Sequence, residues 1–175
     1  MFYFHIGLHK TATSTLQGNT FSSLSKTHFL GRSVSALKDQ DVTYVAICRF
    51  CYAPDFSQDL MDKAKQAIEL LPESGRYLLS DEWFTSDYSG FYRNDGCAWQ
   101  EKLRRLSLLL DGRAHTIIVS LRSPVEGIRS QYIEFLTVGF SNRFKGYIDY
   151  ATSSNDSMAY DYPYLIDLLN SMFSN

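Results

Sequence analysis

A basic, hydroxyl-rich segment follows the first apolar run of the chain. Residues 2–8 are apolar and aromatic, which is typical of a buried parallel strand, and residues 14–24 have the composition of a helix. A junction of this kind directs backbone N–H groups and the positive end of the helix dipole at one point. Lys10 adds a cation, and Thr11, Thr13 and Thr15 add hydroxyl donors. The segment therefore favours a phosphate or a sulfate.

One other interpretation of this segment stays open. A hydroxyl-rich helix start capped by Thr13 or Ser14 explains the same residues without a ligand. The Walker pattern of nucleoside triphosphatases has four residues between Gly and Gly-Lys-Ser/Thr. Here only two residues separate Gly7 from Lys10. A Walker loop is therefore not predicted.

A second candidate site follows a later strand. Residues 116–121 have the clearest strand pattern in the chain, and Arg122 comes directly after them. Pro124 stands where a helix would begin, and Ser130 lies eight residues after the arginine. An arginine presents a planar fork of donors to a phosphate, and a serine two helical turns further on can add a hydroxyl. Taken alone, Arg122 would favour a surface ion pair over a phosphate site.

The two segments together resemble the cofactor-binding motifs of sulfotransferases that use 3′-phosphoadenosine 5′-phosphosulfate (PAPS), in the style of bacterial and carbohydrate-directed members. The first segment resembles the family's 5′-phosphosulfate loop, and the pair Arg122 and Ser130 resembles its 3′-phosphate site. Ala12 stands where the family usually carries Gly. The resemblance covers about residues 2–136. The loop-like run reads His5-Ile6-Gly7-Leu8-His9-Lys10-Thr11-Ala12-Thr13-Ser14.

The resemblance also implies roles for individual residues. Lys10 would neutralise charge on the departing phosphate, and Glu82 stands, by a rough alignment, at the family's catalytic His position. A carboxylate beside Trp83 could have its pKa raised by desolvation, which suits a general base. His9 and a residue outside the chain are alternative bases, and Asp81 with Glu82 could be a solvated strand end. Cofactor contacts are implied for Lys10, Thr11, Ala12, Thr13, Ser14, Thr15, Arg122 and Ser130.

Composition limits the classes of protein to consider. The 175 residues fit one domain, expected to span residues 1–175, and the net charge of −2 provides no global basic field for nucleic acid. No stretch approaches the ~20 apolar residues of a membrane span, and residue 1 leads straight into a strand-like run without a signal peptide, so a cytoplasmic location is expected. No metal is expected at the loop. Cys48 and Cys51 have half of a zinc-knuckle spacing, but two part-buried thiols are favoured over zinc.

Strand and helix patterns alternate along the chain, which predicts an α/β fold with three α/β/α layers and a mainly parallel sheet. The resemblance implies the P-loop NTPase-like sulfotransferase version of that fold. Residues 85–96 are polar and predict a surface loop. Strands are predicted at residues 2–8, 27–31, 42–47, 77–79 and 116–121, and helices at residues 14–24, 57–71, 99–110, 124–135 and 164–173.

The predicted function is transfer of a sulfuryl group from PAPS to a hydroxyl or amine acceptor, with a small molecule or a carbohydrate as partner. The alternatives are a non-catalytic sulfotransferase-like remnant that acts as a binding module, and a P-loop nucleotide kinase. Family members usually continue beyond the point where this chain stops, so a fragment or a short member is expected. Aromatic residues that could hold an apolar acceptor or stack on a sugar are Phe91, Tyr92, Tyr147, Tyr150, Tyr160, Tyr162 and Tyr164.

Overall fold

A parallel four-stranded sheet lies at the centre of the computed structural model, which describes residues 1–8, 11–31, 40–88, 96–137 and 144–173. Its order is β2-β3-β1-β4, so the first strand is flanked by the third and the fourth. The predicted α/β class and parallel sheet are therefore confirmed. The strands are β1 (Phe2–His5), β2 (His28–Phe29), β3 (Tyr77–Ser80) and β4 (His115–Ile118).

Helical segments connect the strands. The helix after β1 begins with a single turn, passes through a π-helical turn at Leu16–Thr20 and ends in a 3₁₀ turn at Phe21–Ser23. A further 3₁₀ turn, Glu82–Thr85, follows β3. The α-helices are α1 (Thr13–Thr15), α2 (Val42–Tyr52), α3 (Gln58–Glu69), α4 (Trp99–Leu110), α5 (Pro124–Thr137), α6 (Tyr147–Ser153), α7 (Asn155–Met158) and α8 (Tyr162–Phe173).

Helical segments cover both faces of the sheet. On one face Phe4 is fully buried in the main hydrophobic core with side chains of α2, α3, α4 and α8. On the other face His5 contacts the ring of Phe21, and Gln17 donates to the backbone of Ser80. Successive side chains of a strand point to opposite faces, which separates Phe4 from its neighbour His5. This arrangement is consistent with three layers.

The strand predicted at residues 42–47 is wrong, because these residues begin helix α2. Their β-branched residues favoured a strand. Asp41 instead caps a helix, since its side chain accepts from the backbone N–H groups of Thr43 and Tyr44 at 2.8 and 3.2 Å. A helical period was also present in the sequence, and burying one face of α2 in the core decided between the two patterns. The buried residues at helical spacing are Tyr44, Ile47, Cys48 and Cys51.

The other predicted elements agree in type and differ mainly at their ends. The strand at 27–31 is reduced to β2, and the last helix begins at Tyr162 rather than Tyr164. The predicted loop at 85–96 is described only in part, and its first residue still belongs to a 3₁₀ turn. Helices α6 and α7 were not predicted, because residues 147–158 are rich in Ser, Thr, Asn and Asp, which are typical of caps and turns.

The cysteines are free and more buried than the sequence suggested. Cys48 and Cys51 are fully buried among core side chains of α2, and Cys97 donates its thiol to the Cys51 carbonyl oxygen at 3.2 Å. Burial raises the pKa of both the Cys48 and the Cys51 thiol well above its usual range. They therefore serve as small apolar core residues in this fold.

No helix within the described ranges is both long enough and apolar enough to cross a membrane.

Candidate active site

The segments that follow β1, β3 and β4 leave the same edge of the sheet. The backbone N–H of Asp81 donates to the His5 carbonyl at 3.1 Å, and that of Leu8 donates to the Ser120 carbonyl at 3.4 Å. The chain leaves the central strand β1 towards β2 and β3, and it later returns on the opposite side as β4. Open α/β sheets bind ligands at such a point, beyond the carboxyl ends of the strands. The candidate residues of all three segments therefore belong to one edge.

The segment after β1 passes close to Gly7. A Cβ atom on this residue would lie 2.6 Å from Thr13 Oγ1 and 3.2 Å from Thr11 Oγ1, so only glycine permits this close approach. The Thr11 hydroxyl donates to the Leu8 carbonyl at 2.7 Å and lies 3.2 Å from the Thr13 hydroxyl. These contacts bring both ends of the segment together beside the strand.

Ala12 adopts the left-handed helical conformation, with φ 60° and ψ 22°. Its carbonyl accepts from the backbone N–H of Leu16 at 3.0 Å, which starts the helix that follows. A left-handed conformation costs an ordinary L-residue roughly 1–2 kcal/mol, whereas glycine adopts it freely. The chain thus keeps, at an energetic cost, the turn that a glycine would make without strain.

The predicted loop residues differ in exposure. Thr13 is buried, Thr11 is half-buried, and Ser14 and Thr15 are exposed at the start of the helix. Lys10 and the alternative base His9 lie outside the described residues.

Arg122 follows β4 as predicted, and its backbone is held in place. The Tyr162 hydroxyl donates to the Arg122 carbonyl and accepts from its N–H at 3.2 Å. The guanidinium Nη2 lies 3.6 Å from the Glu126 carboxylate, and both side chains have access to solvent. This is the surface ion pair considered above as the alternative role of Arg122. Exposed pairs of this kind contribute little to the free energy of unfolding. Ser130 lies half-buried on α5, which begins at Pro124 as expected.

The adjacent carboxylates Asp81 and Glu82 differ completely in environment. Asp81 is fully buried, and its Oδ2 accepts from the hydroxyls of Tyr44 and Tyr52, each at 2.8 Å. Its Oδ1 accepts from the backbone N–H of Trp83 at 3.0 Å. The interpretation as a solvated strand end is therefore wrong for Asp81. Glu82 is half-buried and begins the 3₁₀ turn at the edge of the sheet.

A buried lysine holds the segment after β3. The Lys102 ammonium donates to the carbonyls of Trp83, Ser86 and Tyr88 and lies 4.7 Å from the centre of the Tyr52 ring. Burial lowers its pKa to about 8. Sequence reasoning missed this residue. Its position three residues after Trp99, on the apolar stripe of α4, was the available signal.

A pair of carboxylates connects the same segment to α7. Asp156 Oδ1 accepts from the backbone N–H of Asp87 at 2.8 Å. Asp87 Oδ1 in turn accepts from Asn155 Nδ2 at 2.7 Å and from the backbone N–H of Trp99 at 2.9 Å. Burial, together with the charge of Asp87, raises the pKa of Asp156 to about 6.

A histidine links the ends of the three strands beneath the candidate site. His5 Nδ1 lies 2.8 Å from Ser80 Oγ, and His5 Nε2 lies 2.7 Å from Ser120 Oγ. The amide nitrogen of Gln17 donates to the Ser80 carbonyl at 3.0 Å and to its hydroxyl at 3.2 Å. Burial lowers the pKa of His5, which favours a neutral ring. Sequence reasoning treated this residue only as part of the first strand and the loop-like run.

The aromatic residues considered for an acceptor divide by burial. Tyr150 and Tyr160 are buried, and Tyr160 packs directly against Gly127, where a Cβ would meet its ring at 2.2 Å. These two are therefore core residues. Phe91 and Tyr92 lie outside the described residues. The half-buried ones are Tyr147, Tyr162 and Tyr164.

A cavity of about 350 Å³ lies at the opposite, amino edge of the sheet. Its lining includes Met1, Phe2, Tyr77 and Arg113. The carboxyl edge is the better candidate site because an arginine, a carboxylate and several hydroxyls follow neighbouring strands there.

The chain matches no protein-family model, no curated protein and no solved structure.

Proposed function

We propose that this chain transfers a sulfuryl group from PAPS to a hydroxyl or amine acceptor, with carbohydrates as one acceptor class. The backbone at Ala12 is the observation that carries the proposal. The sequence departs there from the glycine of the sulfotransferase loop, yet the left-handed turn that suits a glycine is present. A strained, exposed residue between two anchored threonines favours a loop shaped for a ligand over a simple helix start.

The cofactor would lie along the carboxyl edge between two anion sites. In this proposal Lys10 and residues 11–15 bind the 5′-phosphosulfate, with the exposed hydroxyls of Ser14 and Thr15 as donors. Arg122 and Ser130 bind the 3′-phosphate, and Arg122 exchanges its exposed contact with Glu126 for the phosphate. The pairing of β1 with β4 supports this assignment because it brings the two segments to adjacent strands.

In the reaction, an acceptor oxygen or nitrogen attacks the sulfur of PAPS. The bond from sulfur to the bridging phosphate oxygen breaks, its electron pair stays on that oxygen, and the products are the sulfated acceptor and 3′,5′-adenosine diphosphate. The acceptor's proton passes to the Glu82 carboxylate, and Lys10 neutralises the charge on the leaving phosphate. As in phosphoryl transfer, positioning and charge stabilisation supply most of the rate enhancement.

The contrast between the two adjacent carboxylates supports Glu82 as the base. Both oxygens of Asp81 are occupied by buried donors, so this residue is committed to the fold. Glu82 is the next residue, begins the turn after β3 and retains access to solvent. It is therefore the carboxylate of this pair that an acceptor can reach.

Calorimetric titration with 3′,5′-adenosine diphosphate tests the proposal. We expect micromolar binding by the wild-type chain, weakened at least about tenfold in Lys10→Ala and in Arg122→Ala, because each variant removes a charge-assisted contact. Arg129→Ala is the matched control, since Arg129 is an exposed arginine of α5 outside the proposed site. Glu82→Gln should bind the nucleotide like the wild type but lose sulfuryl transfer.

The outcomes separate the alternatives. A folded wild-type chain that does not bind this nucleotide would contradict the proposal. Binding that survives in Lys10→Ala and Arg122→Ala would show that the nucleotide lies elsewhere. Tighter binding of ATP with magnesium would favour a nucleotide kinase, and binding without transfer to any acceptor would favour the non-catalytic module.

A further inference from the structure

Ser120 lies at the carboxyl edge, between the two proposed anion sites. Its carbonyl accepts from the N–H of Leu8, just before the first loop, and Arg122 is two residues further along the chain. Its hydroxyl lies 2.7 Å from His5 Nε2. Which of these two atoms donates decides what Ser120 can offer a ligand.

The groups on the Nδ1 side of the His5 imidazole determine which atom donates between His5 and Ser120. The Gln17 side chain is oriented by the Ser80 carbonyl, which can accept only from the amide nitrogen, at 3.0 Å. The same nitrogen donates to Ser80 Oγ at 3.2 Å, so this hydroxyl already accepts one hydrogen bond. Ser80 is fully buried, and its own proton also needs an acceptor.

A neutral imidazole carries its proton on one nitrogen only. If Nδ1 of His5 carried the proton, it would donate to Ser80 Oγ, and the buried Ser80 proton would have no acceptor among the described residues. If Nε2 carries the proton, Ser80 donates to Nδ1 and Ser120 Oγ accepts from Nε2. Only the second arrangement gives the buried Ser80 proton an acceptor, and it leaves the Ser120 proton without an acceptor among the described residues.

We infer that Ser120 donates its hydroxyl proton to a phosphate oxygen of the bound nucleotide, with His5 as the positioning residue that keeps Ser120 a donor. This inference rests on the proposed function, and it adds to the site a ligand contact that the sequence motifs did not include.

The position of Ser120 on the sheet allows this contact. Ser120 is half-buried, and strand geometry places it on the same face as Thr116 and Ile118, both exposed. His5 and Gln17 cover the neighbouring part of that face, so Ser120 lies at the border between covered and open sheet. A ligand oxygen can approach from the open side while the imidazole holds the hydroxyl from the covered side.

The first test measures affinity for 3′,5′-adenosine diphosphate by calorimetry. Ser120→Ala should bind roughly tenfold more weakly than the wild type, as expected for loss of one hydrogen bond to a charged group, and Ser120→Thr should retain most of the affinity. Thr116→Ala is the matched control, because it removes a hydroxyl from the same face of the same strand without touching the carboxyl edge. Its affinity should equal that of the wild type.

The second test needs no variant. Nitrogen-15 NMR of the imidazole in the wild-type chain should show His5 protonated at Nε2, both free and with nucleotide bound. A ring protonated at Nδ1 would overturn the inference even if Ser120→Ala failed to fold.

The failures of the inference and of the proposed function are distinguishable. Wild-type binding that is equal in Ser120→Ala would overturn the inference and leave the proposed function standing. No binding by a folded wild-type chain would overturn both.

Discussion

The segments that follow β3 and β1 emerge side by side but are held in different ways. After β3, residues 81–88 are held by buried hydrogen bonds to side chains from elsewhere in the chain. Asp81 accepts from the hydroxyls of Tyr44 and Tyr52, Lys102 donates to three backbone carbonyls, and Asp156 accepts from the Asp87 N–H. After β1, the described part of the loop is held by the hydroxyl of Thr11 and includes the strained Ala12. The segment after β3 completes the scaffold, and the segment after β1 is the one that we propose to bind a ligand.

This difference matches the physical requirements of the two tasks. A buried polar network is stable only when every member is paired, and a paired network is rigid. A binding loop must instead keep donors for its ligand, and strain in such a loop is offset by the structure around it. We therefore expect substitutions after β3 to change stability and substitutions after β1 to change binding.

The largest effect on the free energy of unfolding should come from truncating Asp81, in contrast to its neighbour Glu82. Asp81→Ala leaves the hydroxyls of Tyr44 and Tyr52 and the N–H of Trp83 without an acceptor, so urea unfolding should show a loss of about 3–5 kcal/mol. Glu82→Ala is the matched truncation and should cost at most about 1 kcal/mol. Equal losses in the two variants would remove the distinction between scaffold and site.

A second prediction concerns the pH dependence of stability. The pKa of Asp156 is raised to about 6 in the folded chain, above the usual value for an unfolded aspartate, so between about pH 4 and 6 the folded chain binds more protons than the unfolded chain. The stabilising contribution of this group is present below pH 4 and is lost as the pH rises through 6. Asp156→Asn removes that dependence and keeps an acceptor for the Asp87 N–H.

Urea unfolding at several pH values measures this effect. The free energy of unfolding of Asp156→Asn, relative to the wild type, should rise by about 2 kcal/mol between pH 4 and 7. Asp167→Asn, which changes an exposed carboxylate of α8, is the control and should follow the wild-type curve. A constant difference between Asp156→Asn and wild type would contradict the raised pKa of Asp156.

The smallest effect should come from the loop. Ala12→Gly should raise the free energy of unfolding by about 0.5–1 kcal/mol, because glycine relieves the left-handed strain. Gly112→Ala is the control for the opposite change. Gly112 has a φ of 69°, and a Cβ there would meet no atom within 4 Å. This variant should therefore lower the free energy of unfolding through the backbone cost alone. Destabilisation by Ala12→Gly would contradict a left-handed turn in the loop.

Much of the frame could be predicted because its signals are local. Apolar runs and helical spacing identified β1, β3, β4, α3, α4 and α5. Parallel pairing explains why Arg122, after β4, and Glu82, after β3, lie at one edge on either side of β1. The prediction of a strand at residues 42–47 was wrong because the sequence there fits both a strand pattern and a helical period. Only burial against the rest of the core selected the helix.

The sequence by itself determined the order of the elements and the chemical groups at the strand ends, since periodicity and turn chemistry depend on neighbouring residues. The tertiary structure alone decided which groups are buried and paired. Asp81 receives hydroxyls from residues 29 and 37 positions away, and His5 meets serines 75 and 115 positions away. A side chain's solvent access and its role as donor or acceptor depend on such distant partners, which become neighbours only on folding.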